Sequence, residues 1–130
     1  MIVYHAVVHK DEDSAWGVQF PDLPGCFSAA DKLDDVLANA SEAVGLYLEG
    51  EKAPKPSPIG KIRAMAADDL AEGAFLLAVP YLTSNSRPTR VNISLERGML
   101  DAIDTAAASR KLTRSAFLAE AARNEIEGRH

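Results

Sequence analysis

Arg90-Val91-Asn92-Ile93-Ser94-Leu95 alternates polar and apolar residues without a break, and two short amphipathic segments follow it within fifty residues. Strict period-two alternation specifies a half-buried strand. After it a helix is expected from about Leu95 to Arg110, capped by Ser94, with Met99, Leu100, Ile103 and Ala107 as its apolar stripe. Lys111-Leu112 makes the turn, and Thr113 caps a second helix whose stripe is Phe117, Leu118, Ala121, Ala122 and Ile126. Leu112 and Phe117 are spaced as a hydrophobic staple around that cap. A lone strand has two unpaired edges, and two short helices bury too little surface for a stable core. Two copies meet both needs. The strands pair antiparallel, Val91, Ile93, Leu95, Met99, Ile103, Phe117 and Leu118 make a shared dimer core, and Arg90, Asn92 and Ser94 project outward in a row.

That row carries a chemistry. A two-stranded ribbon fits the major groove of DNA, where Arg can pair with guanine and Asn with adenine through two hydrogen bonds each. Each such pair supplies roughly 1–3 kcal/mol of discrimination. Thr113, Arg114 and Ser115 open the second helix with free backbone N–H groups, hydroxyls and a positive charge, the parts of a phosphate clamp. The plain alternatives are a polar sheet face for the first three residues and an ordinary helix cap for the second three.

The front half follows a different pattern. Ile2 to Lys10 reads as a strand, with Ile2, Tyr4, Ala6 and Val8 on one face and Val3, His5, Val7 and His9 on the other. Asp11 to Ser14 is a polar turn leading to a second strand, Trp16 to Phe20. Pro21-Asp22-Leu23-Pro24-Gly25 is a rigid connection, and Cys26 to Ala30 is a third strand. An amphipathic helix follows, with Leu33, Val36, Leu37, Ala40, Val44, Tyr47 and Leu48 as its stripe, Asp31 as its cap and Gly50 as its stop. Lys52 to Gly60 is a proline-rich loop, Lys61 to Met65 a short strand or turn, and Ala74 to Leu82 a strand that Pro80 confines to an edge or ends early. The expected fold class is α+β: a βββα-β domain of one sheet against one helix over residues 1–82, a polar linker over 83–89, and a βαα dimerisation domain over 90–127.

Charge separates the two halves. Residues 1–86 carry 6 Lys+Arg against 13 Asp+Glu, a balance of −7, and residues 87–130 carry 8 against 6, a balance of +2; together they make the −5 of the whole chain. An acidic front and a mildly basic back point to different partners. The single cysteine, Cys26, excludes an internal disulfide framework and reads as a small core residue. The N-terminus lacks the pattern of a signal peptide and no stretch is apolar enough to span a membrane, so the expected location is the cytoplasm.

Catalytic signals are sparse. His5 and His9 lie four apart on a strand, without the glutamate that a zinc protease helix requires, and read as exposed sheet histidines. Gly45 and Gly50 have phosphate-loop spacing, but Glu51 follows where lysine must stand. Asp22 reads as a turn-stabilising side chain. Asp11, Asp13, Asp22 and Asp31 raise the idea of a metal-dependent nuclease, but no helix-borne partner set accompanies them. The expectation is a non-enzyme that needs neither metal nor cofactor.

With these residues in view, Arg90 to Glu125 resembles the ribbon-helix-helix repressors through VNISL and AASRKLTRSAFLAEAAR. The run FPDLPGCFSAADKLDDVLANASEAVGLYL resembles the HicB antitoxins, in their FPDLPGC turn and the acidic, alanine-rich helix after it. Ala30-Asp31-Lys32 departs from the family's common Gly-Asp-Thr. Arg97 leaves no capping box on the first helix of the back half, and Gly98 weakens that helix by up to ~1 kcal/mol. The resemblance implies a partial RNase H-like sheet in front. It implies an antitoxin that binds a small basic HicA-like toxin, an mRNA interferase, and represses its own operon by binding operator DNA as a homodimer or a higher oligomer built from it. The alternative is a stand-alone ribbon-helix-helix repressor whose front domain binds a ligand or assembles oligomers.

Overall fold

The computed structural model describes residues 1–83 and 88–129 and divides the chain into two units, Met1–Thr83 and Ser84–His130. Most of the segment expected as a linker, Ser84 to Arg87, lies outside the described residues.

In the first unit, β1 (Ile2–His9) pairs antiparallel with β2 (Trp16–Gln19) on one side and with β4 (Phe75–Tyr81) on the other. β3 (Phe27–Ala30) extends the sheet beyond β2, giving the order β3-β2-β1-β4. The long ladder runs from Ile2 opposite Tyr81 to Val8 opposite Phe75. β4 therefore lies at an edge, which is where a sheet tolerates a residue such as Pro80. Trp16 and Phe75 meet edge to face with ring centroids 6.1 Å apart, a geometry that aromatic quadrupoles favour.

The alternation of β1 produces two faces, and both are covered in part. On one, Tyr4, Ala6 and Val8 join Val18, Ala30 and Val79 against α1 (Val36–Tyr47), which contributes Val36, Ala40 and Val44, with Leu48 just beyond it. Each fully buried Val or Leu in such a core is worth about 1.5–3 kcal/mol. A 3₁₀ turn (Leu33–Asp35) precedes α1. Asp31 does not cap it: Lys32 holds the capping position with no side-chain hydrogen bond, and Asp34 and Asp35 supply negative charge in the first turn. After α1 the chain reverses at Gly50, whose φ of +73° suits glycine.

On the opposite face Val7 is also fully buried. Its cover is α2 (Ile59–Met65) and α3 (Ala67–Ala71), which bury Ile62 and Ala66 and bring Asp69 within 3.1 Å of the Gln19 amide that donates to it. This corrects two expectations. Lys61–Met65 is helical rather than a strand or turn, and the sheet lies between helices rather than against one. Ile62, Ala66 and Leu70 recur at helical spacing, but the pattern spans only two short turns interrupted at Ala66, too short for periodicity to decide.

The second unit holds α4 (Arg97–Ser109) and α5 (Arg114–Ile126). α4 starts later than expected: Glu96, not Ser94, holds the capping position, with extended backbone and no side-chain hydrogen bond. α4 ends in a left-handed turn at Lys111 (φ +56°), with the Lys111 and Leu112 N–H groups donating to Ala108 and Ala107 carbonyls at 3.0 and 2.8 Å. That pairing is a Schellman motif with lysine where glycine is the usual choice. Thr113 caps α5 as the sequence indicates, its Oγ1 accepting the Ala116 N–H at 3.1 Å. The expected strand Arg90–Leu95 does not form within the single chain, where residues 88–96 carry no regular structure. A strand needs a second strand for its hydrogen bonds, and none stands beside this segment among the described residues of the unit.

Candidate functional site

In the second unit, residues Pro88 to Leu95 form one wall of an open groove of about 1170 Å³, with Leu100 of α4 and Arg114, Ser115, Leu118 and Ala119 of α5 also lining it. Arg90, Asn92 and Ser94 are all exposed. Their apolar neighbours are exposed as well: Val91 is 74% accessible, Ile93 61%, Leu95 41% and Met99 on α4 55%. Of the residues expected in the dimer core, Ile103 is buried in the single chain, and Phe117 and Leu118 are half-buried.

The opening of α5 concentrates polar groups. Thr113 spends its hydroxyl on the cap, and Ser115 is exposed in the first turn. Arg114 is exposed but not free. Its Nε and Nη2 donate to Oδ1 and Oδ2 of Asp104 on α4, each at 2.9 Å, a bidentate fork. That hydrogen bonding to Arg114 holds the Asp104 carboxyl below the usual carboxylate range, and it raises the arginine in turn. Arg110 pairs with Glu120 through a single contact, Nη2 donating to Oε1. Arg90, Arg97, Lys111 and Arg123 make no ion pair among the described residues. Sequence reading missed Asp104, because a contact across a helix–helix turn, ten residues from its partner, leaves no periodic trace.

In the first unit the FPDLPGC run folds as two successive turns. The Leu23 N–H donates to the Phe20 carbonyl at 3.1 Å and the Cys26 N–H to the Leu23 carbonyl at 3.0 Å, with Gly25 at φ +87°. Proline followed by a left-handed glycine at the centre of the second turn is the type II signature. Phe20, Leu23 and Cys26 point into the core, and burial pushes the Cys26 thiol above its ordinary value. Asp22 ties this corner to the proline loop: Ser57 donates its backbone N–H to Oδ2 at 2.7 Å and its hydroxyl to Oδ1 at 2.6 Å. The Tyr4 hydroxyl donates to the Pro54 carbonyl at 2.6 Å, and the Tyr47 hydroxyl to the Pro24 carbonyl at 2.7 Å. Asp22 is thus a tether between the corner and a distant loop, where a side chain stabilising its own turn was expected. Beside the corner a cleft of about 240 Å³ opens between Gln19, Pro24, Gly25, Phe27, Met65 and Asp69. Phe27 and Met65 are 68% and 53% exposed there.

No group of three or more His, Cys, Asp or Glu among the described residues is arranged to hold a metal ion. His5 is half-buried and His9 exposed, and the His9 ring lies over Gly17 on β2, where a Cβ would come within 2.7 Å of it. Among the described residues no helix is long and apolar enough to cross a membrane.

Comparison with known proteins agrees with this architecture. Residues 4–122 match the profile of the HicB-like antitoxins of bacterial toxin–antitoxin systems. A 14.9 kDa protein from the rep-hol intergenic region of Haemophilus phage HP1 is 30% identical over 96% of this chain and 98% of its own length. Among solved structures, the Burkholderia pseudomallei antitoxin HicB is 35% identical with a TM-score of 0.53, covering 97% of both chains. Antitoxin HicB3 is 29% identical with a TM-score of 0.54, covering 96% of this chain and 98% of its own. A chain of the HicA3–HicB3 toxin–antitoxin complex is 25% identical with a TM-score of 0.51, covering 63% of this chain and all of its own. A family profile spanning nearly the whole chain and antitoxin structures matched from end to end place this chain in the HicB-like antitoxin family of bacterial toxin–antitoxin systems.

Proposed function

We propose that this chain neutralises a HicA-type, mRNA-cleaving toxin through its first unit and represses its own operon through its second, without itself being an enzyme. The observation that carries the reading is the exposed alternation of Arg90, Asn92 and Ser94 with Val91, Ile93 and Leu95, set before two helices. A second copy pairing along this segment buries the apolar row and turns the polar row into a ribbon for the major groove of operator DNA. Thr113, Arg114 and Ser115 then stand as phosphate contacts that fix the ribbon's register.

Two observations support the toxin-binding half. The matched chain of the HicA3–HicB3 complex covers 63% of this chain, the same share as the N-terminal domain of the Burkholderia antitoxin solved alone. The surplus of seven negative charges over residues 1–86 suits a basic RNA-binding partner and steers it inward.

The test is co-purification of residues 1–86 with the product of the adjacent reading frame, followed by RNA cleavage by that product alone and in complex. Tight association with loss of cleavage is expected. Absence of association, with the full chain still binding its promoter, would leave a repressor whose front unit binds a ligand or assembles oligomers.

A further inference from the structure

Arg114 lines the groove beside Arg90, Asn92 and Ser94, yet one full edge of its guanidinium, Nε and Nη2, is already occupied by Asp104. That edge is one of the two through which a guanidinium can hold a phosphate by two hydrogen bonds. Both side chains are about half exposed, 55% for Arg114 and 44% for Asp104. Exposed pairs contribute little to stability, so the fork is a poor candidate for holding α4 to α5. Its larger effect is electrostatic. The pair as a whole carries no net charge toward an approaching polyanion, and its carboxylate repels the phosphate.

We infer that Asp104 is an internal competitor for DNA phosphate at Arg114, a brake that keeps the affinity of the second unit for DNA below what its cations would otherwise give. Phosphate contact through the Nε–Nη2 edge requires the fork to open. The inference rests on the DNA-binding reading above and concerns one contact within it. Because the contact is to backbone and not to a base edge, the brake acts alike on every DNA sequence.

The experiment compares the full wild-type chain with Asp104→Asn, which keeps the size of the side chain and removes its charge. Binding is followed by fluorescence anisotropy on two labelled duplexes, the segment upstream of the chain's own reading frame and a random sequence of equal length, from about 50 to 200 mM salt. Asp101→Asn, one turn earlier on α4 and exposed, makes the same charge change without releasing Arg114. Expected is binding roughly 5- to 10-fold tighter for Asp104→Asn on both duplexes. The log–log salt dependence should steepen by about 0.9 for each arginine freed. Asp101→Asn gives a markedly smaller gain, and adding Arg114→Ala to Asp104→Asn abolishes the gain. Equal gains for Asp101→Asn and Asp104→Asn, or a gain that survives Arg114→Ala, would overturn the competitor role while leaving DNA binding intact. Failure of the wild-type chain to bind either duplex would instead overturn the DNA-binding reading, and the brake with it.

Discussion

Tyr4, Ala6, Val7 and Val8 on β1 are fully buried within a single chain, while Val91, Ile93 and Leu95, spaced by the same alternation, are 74%, 61% and 41% exposed. The first unit closes its core with its own α1, α2 and α3, and ties its loops down through Asp22, Tyr4 and Tyr47. The second buries Ile103 and Ala107 and leaves its apolar row open. The contrast teaches that identical local patterning has two outcomes. Where the chain itself supplies neighbours for a strand, the pattern becomes a sheet; where it does not, the pattern stays open.

The largest expected effect is at Ile93. Ile93→Asp places a charge in the middle of the row and should abolish dimer formation, read by analytical ultracentrifugation, and with it DNA binding, while the melting of the first unit stays put. A dimer that survives this change would break the comparison, because some other surface would then be doing the pairing. Next is Leu23→Ala, which empties a site only 1% exposed inside the FPDLPGC corner. It should cost about 2–5 kcal/mol in urea unfolding of residues 1–83, by the same amount at every protein concentration. A loss that varies with concentration would mean that this unit too depends on a partner.

The four strands and α1 of the first unit and the two helices of the second were legible in the sequence, and the reasons differ by element. β1 and α1 carry sustained periodicities, β2 and β3 are bounded by the turns around them, and Pro24-Gly25 dictates its turn. Thr113 was legible as a cap because a hydroxyl before a helix has one favourable use. Ser94 and Asp31 have the same chemistry and do not cap, because α4 starts at Arg97 and the 3₁₀ turn at Leu33. Cap identity follows from where the backbone enters the helix, which packing decides. The short helices α2 and α3 escaped because their buried residues, Ile62 and Ala66, are too few to establish a period. The Arg114–Asp104 fork escaped because tertiary ion pairs have no fixed spacing.

A smaller effect is expected at Asp22. Asp22→Ala removes both Ser57 hydrogen bonds and should cost about 1.5–3 kcal/mol, since bonds to a charged acceptor are the stronger kind. Asp22→Asn should cost less, and the pair of values measures how much of the first unit's self-sufficiency lies in its loop tethers. The smallest effect is at Gly98 on α4, where an added Cβ meets nothing within 4 Å in the single chain. Gly98→Ala should raise the thermal stability of the second unit by about 0.5–1 kcal/mol through helix propensity. A fall instead, growing with protein concentration, would sharpen the comparison by showing that a partner's backbone approaches there.

The open apolar row of residues 91–95 has a consequence for dosage. If, on the proposed reading, the first unit occupies the toxin one to one, neutralisation scales with the first power of chain concentration. Repression needs the paired ribbon, so below the dimer dissociation constant it scales with the square. In that range repression falls off more steeply than neutralisation as the antitoxin is depleted, which couples resynthesis to its loss.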